Sequence, residues 1–157
     1  MKILISYFYQ IRFFKPNYIP LSTAMSDPKW FHQNRGKSFY YKDKRGVYNG
    51  LRAEPFVPVP DESLPCPGPQ KCEKVGTACA PLGYYYGQLK NLDFNSIMKR
   101  FQHLGNLVKE IENFSEEPIP VLIVHEPPNC PCSEREVIKR WFFDNGYILE
   151  EFDKSKI

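Results

Sequence analysis

Residues Pro120–Trp141, PVLIVHEPPNCPCSEREVIKRW, decide the fold. Val121 to Val124 form an unbroken apolar run led by β-branched residues, the composition of a strand covered on both faces, as in a parallel sheet. His125 and Glu126 leave that strand at its carboxyl end. Ser133 followed by Glu136 reads as a capping box, and Val137, Ile138, Trp141 and Phe142 supply the apolar face of the helix it opens. Cys130 and Cys132 therefore fall in the turn before a helix start. Such a start presents unpaired N–H groups and about half a positive charge, which favours a phosphate or carboxylate there and can lower the pKa of a cysteine. These residue types point to Cys132 as nucleophile or metal ligand, Glu126 as acid–base group, Arg135 as anion clamp and Ser133 as a ligand contact. An ordinary capped helix with half-buried cysteines accounts for the same letters.

Outward from this stretch, the chain of 157 residues, 42% hydrophobic and 25% charged, has the size and balance of one globular domain spanning 1–157. The opening KILISYFYQIRFF is interrupted by Arg12 and followed by no small-residue cleavage site, and no apolar run reaches the ~18 residues a membrane helix needs. The expectation is a cytoplasmic protein without a membrane partner. Five cysteines are an odd number, which favours ligation or catalysis over a disulfide framework. Charge is uneven. Met1 to Arg52 carry ten Lys or Arg against Asp27 and Asp43, whereas the remainder carries eleven against sixteen acids, so an anionic partner is expected at the first third.

In chain order, Ile3 to Tyr7 reads as the first buried strand and Ile19 to Ser22 as a shorter second one, separated at Pro16-Asn17. A loop at Asp27-Pro28-Lys29-Trp30-Phe31 presents an aromatic pair, with Trp30 either a lid over the sheet or a ligand contact. The 29–52 segment interleaves cations and rings, a composition that suits nucleic acid or a nucleotide. A β-hairpin over SFYYKDKRGVY, turning at Lys42 to Gly46, is the simpler reading of its second half.

From residue 54 to 82 the composition becomes proline-rich, which leaves no room for a helix or a central strand. So long an irregular insertion needs a tie. Cys66, Cys72 and Cys79, joined by Cys132 or Cys130, would supply four thiolates for zinc or an iron–sulfur cluster, although their spacing is wider than that of common zinc motifs. Beyond the insertion, Asp93 caps a long helix with Ile97, Phe101, Leu104, Val108 and Ile111 on one stripe, and Tyr147 to Phe152 reads as a last strand. His103 neighbours that stripe and has no evident role.

The order strand, strand, insertion, helix, strand, helix, strand predicts an α/β fold, a three-layer Rossmann-like sandwich with a mostly parallel sheet and an irregular Cys/Pro-rich insertion. Ligands of such sheets bind beyond the strands' carboxyl ends, where Ser6, Tyr7, Ser22, Thr23, His125 and Glu126 fall. Three separated segments also resemble one family. Ser6-Tyr7-Phe8, then Pro20-Leu21-Ser22 with Pro28-Lys29-Trp30-Phe31, then Glu126 six residues before Cys132 are similar to the domain-of-unknown-function family numbered 488 over most of the chain. The resemblance implies a small Rossmann-like α/β protein and no particular activity. The chain departs from that family's commoner pattern at Val124, where a cysteine is usual, and at Ser133-Glu134-Arg135, which replaces a His-Arg pair. Two functions follow as expectations: binding of a nucleotide or other small anionic ligand at the strand ends, with catalysis on a nucleotide or nucleic-acid base, or a non-catalytic, metal-stabilised interaction module.

Overall fold

A computed structural model describes residues 1–32, 41–59, 79–130 and 132–156. Its centre is a four-stranded, all-parallel sheet in the order β2-β5-β1-β6, built from β1 (Leu4–Tyr7), β2 (Tyr18–Ser22), β5 (Ile119–Val124) and β6 (Glu150–Glu151). The apolar run that decided the reading is the strand β5, paired in register with β1 from Leu4↔Val121 to Tyr7↔Val124 and with β2 from Tyr18↔Ile119 to Ser22↔Ile123. Flanked on both sides, it buries Val121 to Val124 completely or nearly so, as a run without polar alternation requires.

Side chains of successive strand residues point to opposite faces, and the two faces carry different covers. Ile3, Ile5, Ile19, Leu21, Leu122 and Val124 meet three α-helices: α1 (Ala80–Lys90), α2 (Phe94–Glu112) and α3 (Glu134–Asp144). Leu4, Val121 and Ile123 instead meet a 3-10 helix (Phe8–Phe13), Phe31 of a second one (Lys29–His32), and Val47 of the turn between β3 (Tyr41–Lys42) and β4 (Tyr48–Asn49). The chain leaving β1 thus runs over one face and the chain leaving its neighbour β5 runs over the other. In open α/β sheets, such a divergence marks the strand ends beyond which ligands bind.

Several expectations are refined. Asp93 caps α2 by accepting from the Ser96 N–H at 3.0 Å, and Asn113 closes it in the left-handed region at φ 54°, but Ile111 faces solvent rather than the core. The hairpin forms as β3 and β4; residues 33–40, which precede it, lie outside the described residues. Its turn is locked by Arg45, whose guanidinium, though exposed, donates to the carbonyls of Ile11, Arg12 and Phe14 and to the Asp43 carboxylate, so this cation of the basic segment ties the hairpin turn to the 3-10 helix. The last strand is only Glu150–Glu151; Tyr147, expected to begin it, lies outside the ladder, its hydroxyl donating to the Met1 carbonyl and accepting from the Ile3 N–H.

The largest correction concerns the proline-rich insertion. Its first residues fold as a 3-10 helix (Glu54–Phe56) with Phe56 buried, and its last belong to α1, a helix that the proline count concealed. Pro81 sits in the first turn of α1, where the missing N–H costs nothing, and Leu82, Tyr85 and Leu89 recur along one buried face. Residues 60–78, with Cys66 and Cys72, lie outside the described residues. Among those described, no helix is long and apolar enough to cross a membrane.

Candidate functional site

Three strand ends, the loops that follow them and the start of α3 make the carboxyl edge of the sheet. Ser6 ends within β1 and is buried; Tyr7 follows, its hydroxyl accepting from Gln10 at 3.0 Å and its ring beneath the Arg135 guanidinium at 5.8 Å. Phe8, on the opposite face, carries the His125 ring against it at 5.0 Å between centroids. His125 is exposed, and its Nε2 lies 2.6 Å from the Ser26 carbonyl. A carbonyl can only accept, so that contact assigns the proton to Nε2.

At the end of β2 the hydroxyls point inward. Thr23 donates to the Ile123 carbonyl at 2.9 Å, and Ser22 donates to the Asp27 carboxylate while accepting from the Ala24 N–H at 3.2 Å. Asp27 in turn accepts from Arg52 at 2.6 Å, and the same guanidinium donates to the Ala24 carbonyl and to Glu54. Sequence reasoning missed Asp27 and Arg52. Asp27 stood in plain view before Pro28, but its partner reaches it only because Arg52 forms a parallel bridge with Ser22, a tertiary accident of the chain's return.

Around α3, Ser133 is the N-cap, although it does not form the box expected of it. Its hydroxyl oxygen accepts from the Arg135 N–H at 3.1 Å and donates to Glu126 at 3.0 Å, while Glu136 stays exposed. Glu126 thus engages the capping hydroxyl itself, not the N-cap N–H that the carboxylate of a capping box would take. Arg135 is buried: only 1% exposed, it donates from Nη1 to the Glu126 carbonyl at 2.6 Å and holds its Nε 2.6 Å from Glu151 of β6. Its Nη2 has no hydrogen-bond partner among the described residues.

Burial first, and then the neighbouring Glu126 carboxylate, raise the pKa of Glu134; burial likewise raises Glu151, against the lowering pull of Arg135 and Lys139. Both carboxyls therefore hold protons more readily than free glutamate, which suits groups that exchange a proton near a bound ligand. Trp30 is 44% exposed, and Phe31 takes the buried lid position instead.

The thiols divide. Cys79 is the N-cap of α1, buried, with its sulfur accepting from the Leu82 N–H at 3.4 Å. Cys130 and Cys132 are half-buried before α3, which packs against α1. Among the described residues no three His, Cys, Asp or Glu side chains gather as a metal-binding group. His103 is exposed on α2, far from any such role in the sequence of contacts.

These features define an α/β protein with an all-parallel sheet whose candidate site lies at the carboxyl edge, between β1 and β5. Comparison of the chain with protein-family models, with curated proteins and with solved structures finds no match.

Proposed function

We propose that the protein binds a nucleotide or a related small anionic molecule in the crevice between β1 and β5, with Glu126 as the acid–base group of any chemistry on that ligand. The observation that carries this reading is topological: the connections from two adjacent parallel strands depart over opposite faces, the arrangement at which open α/β sheets take their ligands. The start of α3 beside it adds a favourable dipole for an anion. On this reading the fold is Rossmann-like, and kinship with family 488 rests on Ser6-Tyr7-Phe8, Ser22 and Glu126 all standing at strand ends.

Thermal shift with a panel of nucleoside mono-, di- and triphosphates tests it. A nucleotide at about 100 times its Kd adds about 2.7 kcal/mol, a readily measured rise in Tm. Glu126→Gln and His125→Ala should each diminish that rise without disturbing the unliganded fold, since both side chains stand at a strand end outside the core. A panel without any stabilising nucleotide, or a rise indifferent to both substitutions, overturns the reading. Turnover of the stabilising nucleotide separates an enzyme from a binding module.

The same proposal keeps the metal. Cys66, Cys72 and Cys79 with Cys132 or Cys130 hold zinc or an iron–sulfur cluster, supported by the packing of α1, which begins at Cys79, against α3, which begins after Cys132. Elemental analysis of protein purified without oxygen should find stoichiometric zinc, or iron with sulfide. Protein free of metal, with all five thiols titrating, removes this part.

A further inference from the structure

A cleft of about 270 Å³ opens on the face of the sheet away from the three α-helices, beside the 3-10 helix that follows β1. Trp30 and Tyr9, 44% and 53% exposed, are among its walls, and Phe8 joins them with its ring edge-on to Trp30 at 6.1 Å. Arg12, which is exposed, lies flat over the Tyr9 ring at 3.6 Å and donates from Nε to the Tyr9 carbonyl at 2.9 Å, so its guanidinium is held at the cleft rather than left to wander. Asp43 lines the cleft too. Its charge is compensated there: burial works to raise its pKa, but hydrogen bonds from Arg45 and from the Val47 and Arg45 N–H groups hold it below the ordinary carboxylate value.

Asn49 decides what the cleft can take. It lines the cleft, is 3% exposed, and its side-chain oxygen has no hydrogen-bond donor among the described residues. A buried amide oxygen without a donor is costly, about 1–3 kcal/mol, and a site that tolerates the cost has a use for the acceptor. Exposed rings, a positioned guanidinium and a buried acceptor are three different chemistries. A nucleobase with its phosphate answers all of them, its ring stacking on the aromatic wall, its N–H edge reaching Asn49 and its phosphate meeting Arg12. The volume lies just below the ~300–1,000 Å³ of pockets that enclose a drug-sized molecule, so the cleft takes one base rather than a dinucleotide.

The geometry points to this cleft as a second site, for a single nucleobase and its phosphate, supplied either by a free nucleotide or by one unit of a single strand. Glu126 is not among its lining residues, and the proposal does not rest on the crevice reading.

Calorimetric titration of the full chain with adenosine 5′-monophosphate, and separately with a short oligothymidylate, tests it. Trp30→Ala and Arg12→Ala should each weaken binding roughly tenfold, the usual loss on removing one stacking partner. Both side chains are exposed, and circular dichroism confirms that the variants fold. Binding of the mononucleotide identifies a free nucleotide as sufficient; binding of the oligonucleotide alone, weakening steeply with salt, identifies a strand. Failure of both probes to bind, or binding indifferent to both Trp30→Ala and Arg12→Ala, overturns the proposal.

Discussion

Phe56→Ala is expected to cost about 3–5 kcal/mol of folding stability, the range for emptying a buried aromatic site that its neighbours cannot refill. Phe56 is 1% exposed, with its ring 5.4 Å from Trp141, 5.9 Å from Phe142 and 6.2 Å from Phe101. It therefore joins α2 to α3 from a segment that belongs to neither. The backbone around it is clamped as well: Tyr85 of α1 donates to the Phe56 carbonyl, and Gln88 makes two bonds of 2.8 Å, donating to the Val57 carbonyl and accepting from the Val59 N–H. Urea unfolding measures the loss directly. A change below about 1 kcal/mol would mean that the residues after Arg52 are held by something other than this ring, a bound metal first among the candidates.

Arg135→Met is expected to cost about 3 kcal/mol, near the lower end for removing one member of a buried ion pair, because Glu151 keeps 26% of its side chain exposed and is left only partly stranded. The substitution also deletes the Nη1 bond to the Glu126 carbonyl, which fixes the turn leading into α3. The deficit should depend on pH in a definite direction. Burial already raises the Glu151 pKa, and Arg135 is the largest influence that lowers it. A carboxyl with a raised folded pKa contributes most to stability below its unfolded value and loses that contribution as pH rises through the folded one. Without Arg135 the folded value climbs further, so the variant should fall further behind the parent at neutral pH than in acid. Unfolding curves across the acidic range check this; a deficit independent of pH would assign the loss to packing alone.

Local pattern carried most of the architecture. The apolar run Val121–Val124 is a fully flanked strand because only a strand with neighbours on both sides can bury every residue in succession. Asp93 and Ser133 cap helices because their side chains reach N–H groups a few residues away, a contact that sequence spacing alone sets. Gly146, at φ 82°, follows the end of α3 for an equally local reason. α1 escaped because its signals are mixed: proline and two glycines argue against a helix, and the packing of Leu82, Tyr85 and Leu89 overrules them.

At the candidate site the balance reverses. Sequence placed Ser6, Ser22, Thr23, His125 and Glu126 at strand ends, since strand ends are local facts. It could not say that Ser22 faces Asp27 and Arg52, that Arg135 turns inward to Glu151, or that Arg45 plugs the 3-10 helix. Each of those contacts joins segments brought together by the parallel order β2-β5-β1-β6 or by the hairpin's return, and a long cationic side chain goes to whichever acceptor the fold leaves within reach. Apart from α1, the helices and strands were thus set by spacing and polarity along the chain, while the partners of Arg45, Arg52 and Arg135 were decided by the fold, because an ion pair is chosen in space and not in sequence.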